Sequence, residues 1–268
     1  ALRDIQRVLI PHAHVDHYGL VGAVVAASGA EVWAHPLAQP LIEGWPTYQV
    51  AYDQFWLALL LAAGVPAGLA QRTASLYQRM QQLIGHAPVA RLLNEGAVIS
   101  LAGADWQVLH CPGHADSLIC LYQADDRLLL GNDHLLAHIS SNALVGPPPA
   151  GEQERRRPLV DYWASLCRIY DMEIALVIPG HGDAVADVRS LINSRFRFYE
   201  RRLARLSEAL RRGPQSVWQL VEAIFRRLDE TDTYLAVSEV LGHLDVLENK
   251  GLVCVQTDAE GIWRYSLR

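Results

Sequence analysis

The stretch RVLIPHAHVDH, residues 7–17, decides the fold of this chain of 268 residues. Its first four residues are mostly apolar and typical of a short buried strand, and three histidines and an aspartate follow at once. Histidines two residues apart in an extended loop point the same way and can share one metal ion, whereas Asp16 and His17 are offset enough to serve a second. The stretch therefore predicts a strand that ends in a metal-binding loop.

Short strands alternate with helices on either side of this loop. The small residues at 19–29 predict a helix, and residues 31–34 predict a second strand, which together indicate an α/β fold. Residues 97–101, 106–110, 117–123 and 127–130 predict the strands of a second sheet, and residues 174–178 predict a final strand. Between the two sheets, residues at about 45–88 have the apolar spacing of long helices and form a helical insertion. Its aromatic residues belong either to the core or to a wall of the active site.

The composition changes after about residue 190. Seven of the eighteen residues at 195–212 are arginine, on an amphipathic helix. Ser216 and Ser238 are each expected near the start of a further helix, and residues 252–267 predict a hairpin that turns at 258–261. We therefore divide the chain into a catalytic domain, residues 1–190, and a winged-helix-like domain, residues 191–268.

Three further metal-binding side chains follow later strands. They are His114 in the sequence PGH, Asp133 after a strand, and His181 in the sequence PGHG. Together with the four in the first loop they give seven nitrogen and oxygen ligands, which suit Zn²⁺, with Fe or Mn as alternatives. His138 follows the Asp133 loop and is expected to line the substrate pocket.

This ordered pattern resembles the metallo-β-lactamase superfamily over residues 8–183. The resemblance implies an αββα sandwich and a hydrolase with two zinc ions per chain. It implies that His12, His14 and His114 hold the first ion, that Asp16, His17 and His181 hold the second, and that Asp133 bridges them. A hydroxide between the ions would then be the nucleophile, and Asp16, a second catalytic residue beside Asp133, would take a proton as the intermediate collapses.

Two positions depart from the family pattern. Asn132 stands where relatives have glycine before the bridging aspartate, and asparagine tolerates left-handed backbone angles better than other non-glycine residues. Only eleven residues precede His12, whereas the family has several strands there, so the N-terminal strands of the sandwich are expected to be missing. Either the sequence is a fragment, or these strands are replaced or supplied by another chain.

The C-terminal part narrows the resemblance to bacterial hydrolases grouped with the human β-lactamase-like protein 2. Members of that group include endoribonucleases and thioesterase-like or glyoxalase-like hydrolases. The function expected here is hydrolysis of a small ester, thioester or lactone, and the alternative is a metal-dependent endoribonuclease or phosphodiesterase. A stripe of Arg201, Arg202, Arg205 and Arg212 would serve the alternative, although residues 190–268 carry twelve basic and eleven acidic residues. A non-enzymatic DNA-binding function is disfavoured by three acidic residues on the helix that would enter the groove.

The remaining expectations concern partners and location. The net charge of -6 disfavours a dedicated nucleic-acid binder, and no apolar run reaches the length of about 18 residues that a membrane span needs. No signal peptide is visible, so a cytoplasmic protein is expected. A small-molecule substrate, with RNA as the alternative, and a homodimer are the expected partners. Lys250 is the only lysine beside twenty-two arginines, a composition typical of a GC-rich bacterium.

Overall fold

A computed structural model describes residues 1–225 and 227–268. Its strands are β1 Arg7–Ile10, β2 Glu31–Ala34, β3 Val89–Leu92, β4 Val98–Leu101, β5 Ala104–His110, β6 Ile119–Gln123, β7 Leu128–Asn132, β8 Leu176–Pro179, β9 Gln215–Ser216, β10 Val253–Thr257 and β11 Trp263–Leu267. Its helices are α1 Val15–Tyr18, α2 Val21–Ser28, α3 Gln39–Ile42, α4 Pro46–Ala62, α5 Ala67–Gln81, α6 Pro158–Tyr170, α7 Val188–Leu210, α8 Val217–Ile224 and α9 Thr233–Asn249. The predicted strands of both sheets are present, with ends within two residues of the predicted bounds.

Two sheets lie at the centre of the fold. Strands β1, β2 and β3 form a parallel sheet, and strands β4 to β8 form a second sheet that is antiparallel except for the β7–β8 pair. Ile10 and Val32 pack against α2 and α3, whereas their neighbours Leu9 and Trp33 pack against the second sheet. Helices α6 to α9 cover the other face of the second sheet. This layering of helix, sheet, sheet and helix confirms the predicted mixed α/β fold.

Strand β3 was not predicted from the sequence. Three of its four residues are exposed, because it forms the edge of the first sheet and has no regular alternation of apolar and polar residues. The guanidinium of Arg91 lies 4.6 Å from the centre of the Trp33 ring on the neighbouring strand. A charged residue on an edge strand also discourages pairing with another chain.

Two helices occupy the predicted helical insertion. Helix α4 has Pro46 in its first turn, where the missing N–H has no partner to lose. It ends before Gly64, and α5 begins after Pro66, so the chain reverses direction at the Gly-Val-Pro break. Trp56 of α4 contacts Tyr234 of α9, with ring centres 4.0 Å apart. The insertion therefore packs against the C-terminal part of the chain.

The C-terminal part contains helices α7 to α9 and a small sheet of β9, β10 and β11. The predicted hairpin is present, and the Asp258 carboxylate accepts hydrogen bonds from the backbone N–H groups of Glu260 and Ile262 at its turn. Helix α9 begins at Thr233 rather than near Ser238. Ser238 is fully buried in the middle of that helix, where its hydroxyl oxygen accepts a hydrogen bond from the Val145 N–H. The assignment of this part as a winged helix stays a prediction.

One hydrophobic core joins the C-terminal helices to the rest of the molecule. It includes side chains from α4, α6, α7, α8 and α9 and from the second sheet. The buried Asp245 of α9 accepts two hydrogen bonds, of 2.7 and 2.6 Å, from Arg155 in the loop before α6. The predicted domain boundary at residues 190 and 191 falls inside α7 and stays a prediction. In the described part of the chain, no helix has the length and apolarity needed to cross a membrane.

The N-terminus of α8 provides a test of local stability. The Ser216 hydroxyl accepts a hydrogen bond from the Gln219 N–H, and the Gln219 side chain accepts one from the Ser216 N–H. We expect Ser216→Ala to lower the free energy of unfolding by about 1 kcal/mol, since it removes this cap. Urea denaturation measures the change. Ser207→Ala inside α7 is the matched control, and an equal loss in the two variants would contradict the capping role.

Candidate metal centre

Loops at the ends of four strands carry the seven predicted ligands. His12 and His14 follow β1, and the short helix α1 then carries Asp16 and His17. His114 lies in the loop between β5 and β6, while Asp133 and His181 follow β7 and β8. Helix α1 turns the chain after His14. His12 and His14 therefore lie beside His114, whereas Asp16 and His17 lie beside Asp133 and His181. The structure brings all seven side chains together in two adjacent groups.

The first group consists of His12, His14 and His114. Their ring centres are 4.5 to 5.1 Å apart and meet edge-on, and each offers a nitrogen within 4.8 Å of the others. His12 is fully buried, yet neither of its nitrogens has a hydrogen-bond partner in the described residues. The His114 Nδ1–H donates to the Asn142 carbonyl over 2.9 Å, which leaves its buried Nε2 without a donor or acceptor. Buried unpaired nitrogens are unfavourable, and coordination of a metal ion would satisfy them.

The second group consists of Asp16, His17, Asp133 and His181. The Nε2 atoms of His17 and His181 are 3.2 Å apart, and Asp16 Oδ2 is 3.2 Å from His181 Nε2. Asp133 Oδ2 lies 3.4 Å from His17 Nε2 and 3.5 Å from His181 Nε2. Ligands around a tetrahedral Zn²⁺ with bonds of about 2.0 to 2.1 Å lie about 3.3 Å from one another. The spacing of this group therefore fits a zinc ion.

Asp133 lies between the two groups. Its Oδ2 is also 3.5 Å from His114 Nε2 of the first group, and its Oδ1 is buried without a hydrogen-bond partner among the described residues. One carboxylate oxygen thus faces histidines of both groups while the other is unpaired. This geometry fits a carboxylate shared by two metal ions.

The surroundings of the first group and of Asp133 favour the protonation states that metal binding needs. Burial would lower the pKa of His17, but its hydrogen bond to Asp133 and the charges of Asp133 and Asp16 raise it. Burial lowers the pKa of His12, His14 and His114, so these imidazoles are neutral. Burial alone would raise the pKa of Asp133, but a hydrogen bond from His17 and the nearby histidine charges lower it. Neutral imidazoles and an ionised carboxylate are the forms that coordinate Zn²⁺.

Two glycines and one asparagine shape the loops around the ligands. A Cβ at Gly113 would lie 2.2 Å from the Tyr162 Cβ, and one at Gly180 would lie 2.3 Å from Asp133 Oδ1. Each glycine therefore permits a close approach that no other residue allows. Asn132 has φ of 44°, which confirms that it adopts the left-handed angle predicted for it, and its side-chain N–H donates to the Ile119 carbonyl.

His138 lies away from the predicted substrate pocket. Its side chain is 74% exposed, and its Nε2 lies 2.8 Å from Asp183 Oδ2 on the rim of the His181 loop. The Arg195 side chain donates to the carbonyls of Leu136 and Ile139, which fixes this loop with His138 on the outside. The expectation that His138 lines the pocket is therefore corrected.

Two neighbours of His138 contact the ligands instead. The Ser141 hydroxyl donates to the backbone carbonyl of Asp133, and the Asn142 carbonyl orients His114. These contacts could not be predicted from a periodic pattern, because both residues belong to a loop without regular secondary structure. They position ligands from the second layer of the site.

A cavity of about 260 Å³ adjoins the first group. His14, Asp16 and His114 line it. Aromatic side chains of α4, α5 and α9 line the same cavity, namely Tyr48, Tyr52, Trp56, Tyr77 and Tyr234. The helical insertion therefore walls a mostly apolar pocket, one of the two possibilities that its aromatic residues left open, and the C-terminal helix α9 contributes to the same wall.

Comparisons with known proteins agree with this geometry. The family model described as Metallo-beta-lactamase superfamily matches residues 1–181, and the one described as Metallo-beta-lactamase-like, C-terminal domain matches residues 203–268. The chain is 35% identical over 253 residues to the probable metallo-hydrolase YqjP of Bacillus subtilis, covering 92% of this chain and 76% of that protein. It is 25% identical to the atrochrysone carboxyl ACP thioesterase of Claviceps purpurea over 54% of this chain and 44% of that one.

Two solved structures are similar over almost the whole chain. The metallo-beta-lactamase family protein TTHA1429 from Thermus thermophilus superposes with a TM-score of 0.81 at 28% identity, covering 100% of this chain and 81% of that one. A beta-lactamase domain protein from Burkholderia ambifaria superposes with a TM-score of 0.82 at 25% identity, covering 98% of this chain and 75% of that one. Both superpositions include the C-terminal helices as well as the two sheets.

Proposed function

Since this chain belongs to the metallo-β-lactamase superfamily and is a metal-dependent hydrolase, we propose that it is a dinuclear zinc enzyme that hydrolyses a small ester, thioester or lactone. The observation that carries the proposal is the pair of adjacent ligand groups, three of whose side chains, His14, Asp16 and His114, line a mostly apolar cavity. His12, His14 and His114 would hold the first ion, Asp16, His17 and His181 would hold the second, and Asp133 would serve both. Iron or manganese would fit the same nitrogen and oxygen donors.

The bound ions would supply an activated water at neutral pH and polarise the scissile carbonyl. The protein's own groups orient the ligands and receive the proton. Asn142 fixes the tautomer of His114 through its carbonyl, and Ser141 holds the backbone of Asp133. Asp16 is half-exposed and lines the cavity, so its carboxylate is available to accept a proton from the reacting group.

The cavity has room and apolar surface for the carbon skeleton of an acyl group. Its wall of tyrosine and tryptophan side chains can bury an aromatic or medium-chain acyl portion while the carbonyl lies near His14 and His114. Among the residues that the structure describes, no arginine or lysine lines it, which disfavours a phosphorylated group inside. The partial similarity to a thioesterase supports a thioester among the substrates.

The arginines of α7 give little support to the ribonuclease alternative. Arg202 is mostly buried and pairs with Glu239 over 2.7 Å, and Arg205 donates to the Ile224 carbonyl. Two of the four arginines expected in a basic stripe are therefore engaged within the protein. The two others, Arg201 and Arg212, form a small basic surface compared with the several phosphate contacts that tight RNA binding uses.

Elemental analysis combined with a substrate panel tests the proposal. We expect about two zinc ions per chain and hydrolysis of a benzoyl thioester, an aryl ester or a lactone by the same preparation, with activity lost on chelation and restored by Zn²⁺. A structured RNA is the comparison substrate. Absence of bound metal, or cleavage of RNA alone, would contradict the proposal.

A further inference from the structure

One carboxylate of the cavity belongs to neither ligand group. Asp116 follows His114 by two residues and lines the cavity together with the aromatic side chains. Burial, and then the negative charge of Asp116, raise the pKa of Tyr48 to about 12. The same charge also acts on Tyr234. Asp116 and these two tyrosines therefore line the same cavity as His14 and His114.

The Asp116 carboxylate forms no ion pair and accepts no hydrogen bond within the part of the chain that the structure describes. The nearby cation Arg156 pairs instead with Glu152 over 2.7 Å. Asp161 and Glu152 both add negative charge around Asp116. Since the described part of the chain offers this carboxylate no ion-pair partner, a cationic ligand group in the mostly apolar cavity would be stabilised beside it.

The aromatic wall has the complementary chemistry. Trp56 and Tyr77 stack with ring centres 5.1 Å apart, and Tyr234 meets both edge-on. Aromatic faces attract an ammonium group, and a nearby carboxylate strengthens the attraction. A neutral hydroxyl would supply one hydrogen bond to Asp116 but would leave its charge uncompensated.

We propose that the cavity selects an acyl group that carries an ammonium group, which pairs with Asp116 among the aromatic side chains. Asp116 is thus a specificity-determining residue, while the ligand groups around Asp133 carry out the hydrolysis. The inference rests on the proposed function, because it names the class of acyl group that the hydrolase accepts.

Matched substrates test this selectivity. The 6-aminohexanoyl and heptanoyl thioesters differ by an ammonium in place of a methyl group, as do the 4-(aminomethyl)benzoyl and 4-ethylbenzoyl thioesters. We expect the zinc-loaded enzyme to prefer the ammonium member of at least one pair by about tenfold or more in kcat/KM. In Asp116→Asn the preference should disappear while the zinc content is unchanged. Asp161→Asn, a nearby carboxylate outside the cavity lining, is the control and should retain the preference.

Calorimetric binding of phenethylammonium separates this inference from the proposed function. We expect the full chain to bind phenethylammonium more tightly than the neutral 3-phenylpropanol, and Asp116→Asn to lose this difference. If the thioesters are not hydrolysed but phenethylammonium binds through Asp116, the proposed function fails and the cationic site stands. The inference would be overturned if the wild-type chain hydrolysed the ammonium and neutral thioesters with equal kcat/KM and also bound phenethylammonium and 3-phenylpropanol equally tightly. A preference for the ammonium compounds that survives in Asp116→Asn would overturn it as well.

Discussion

Replacing Asp133 with alanine is expected to abolish hydrolysis, with a loss of at least about a thousandfold in kcat/KM, or about 4 kcal/mol in activation free energy. The reason is that Asp133 Oδ2 lies within 3.5 Å of His114, His17 and His181, so one carboxylate is shared by both ligand groups. Its loss removes a negative ligand from each ion and leaves three histidines facing one another. Steady-state kinetics and zinc content measured on the same preparation check this result.

Asp183→Ala is a matched control for this variant. Asp183 is an exposed carboxylate in the His181 loop, pairs with His138 and belongs to neither ligand group. We expect it to retain two zinc ions and near-normal kcat/KM. Asp133→Ala that keeps both ions and full activity would contradict the bridging role, whereas a similar loss in both variants would indicate that the loop, not the shared ligand, is at fault.

The seven side chains could be located from the sequence because most of them lie in loops that follow a strand, and the family resemblance implied their role as ligands. The ends of β1, β7 and β8, with the loop after β5, meet at one edge of the layered sheets, and side chains from distant positions converge there. A strand is recognisable from a short apolar run, so the residues that follow it can be placed in advance. His138 does not follow a strand directly, so its position could not be predicted in this way. It lies in a loop that Arg195 fixes from α7, and that contact depends on the tertiary fold.

The lining of the substrate cavity could not be predicted from the sequence, because it is formed by contacts between segments that are far apart in the chain. The aromatic residues of α4 suggested either core or a pocket wall, and the structure uses them as both, since Trp56 is buried and also lines the cavity. Tyr234 reaches the same wall from α9, although the sequence indicated only a helix in a separate C-terminal domain. Ser238 was expected near a helix start for its capping chemistry, but its hydroxyl accepts from the Val145 N–H inside the core. Packing between distant segments overrides these local preferences.

Replacing Gly180 with alanine is expected to remove metal without unfolding the protein. The added Cβ would lie 2.3 Å from Asp133 Oδ1 and 3.2 Å from His17 Cε1. Both atoms belong to ligand side chains, so the collision is relieved by displacing the Asp133 carboxylate, not by moving a strand. A shift of about 1 Å in a shared ligand should lower zinc affinity and reduce kcat/KM by about a hundredfold or more. Zinc titration and circular dichroism measure the two effects separately.

Gly182→Ala distinguishes this collision from ordinary backbone strain. Gly182 has φ of 77° and no heavy atom within 4 Å of an added Cβ, so alanine there carries only the cost of the left-handed angle, about 1 kcal/mol. We therefore expect Gly182→Ala to lower the free energy of unfolding slightly while keeping both zinc ions. Gly180→Ala should show the opposite pattern, with weak zinc binding and little loss of secondary structure. Wild-type zinc affinity with two bound ions in Gly180→Ala would contradict this prediction. It would mean that the Asp133 carboxylate can keep its position as a ligand beside an added Cβ at residue 180.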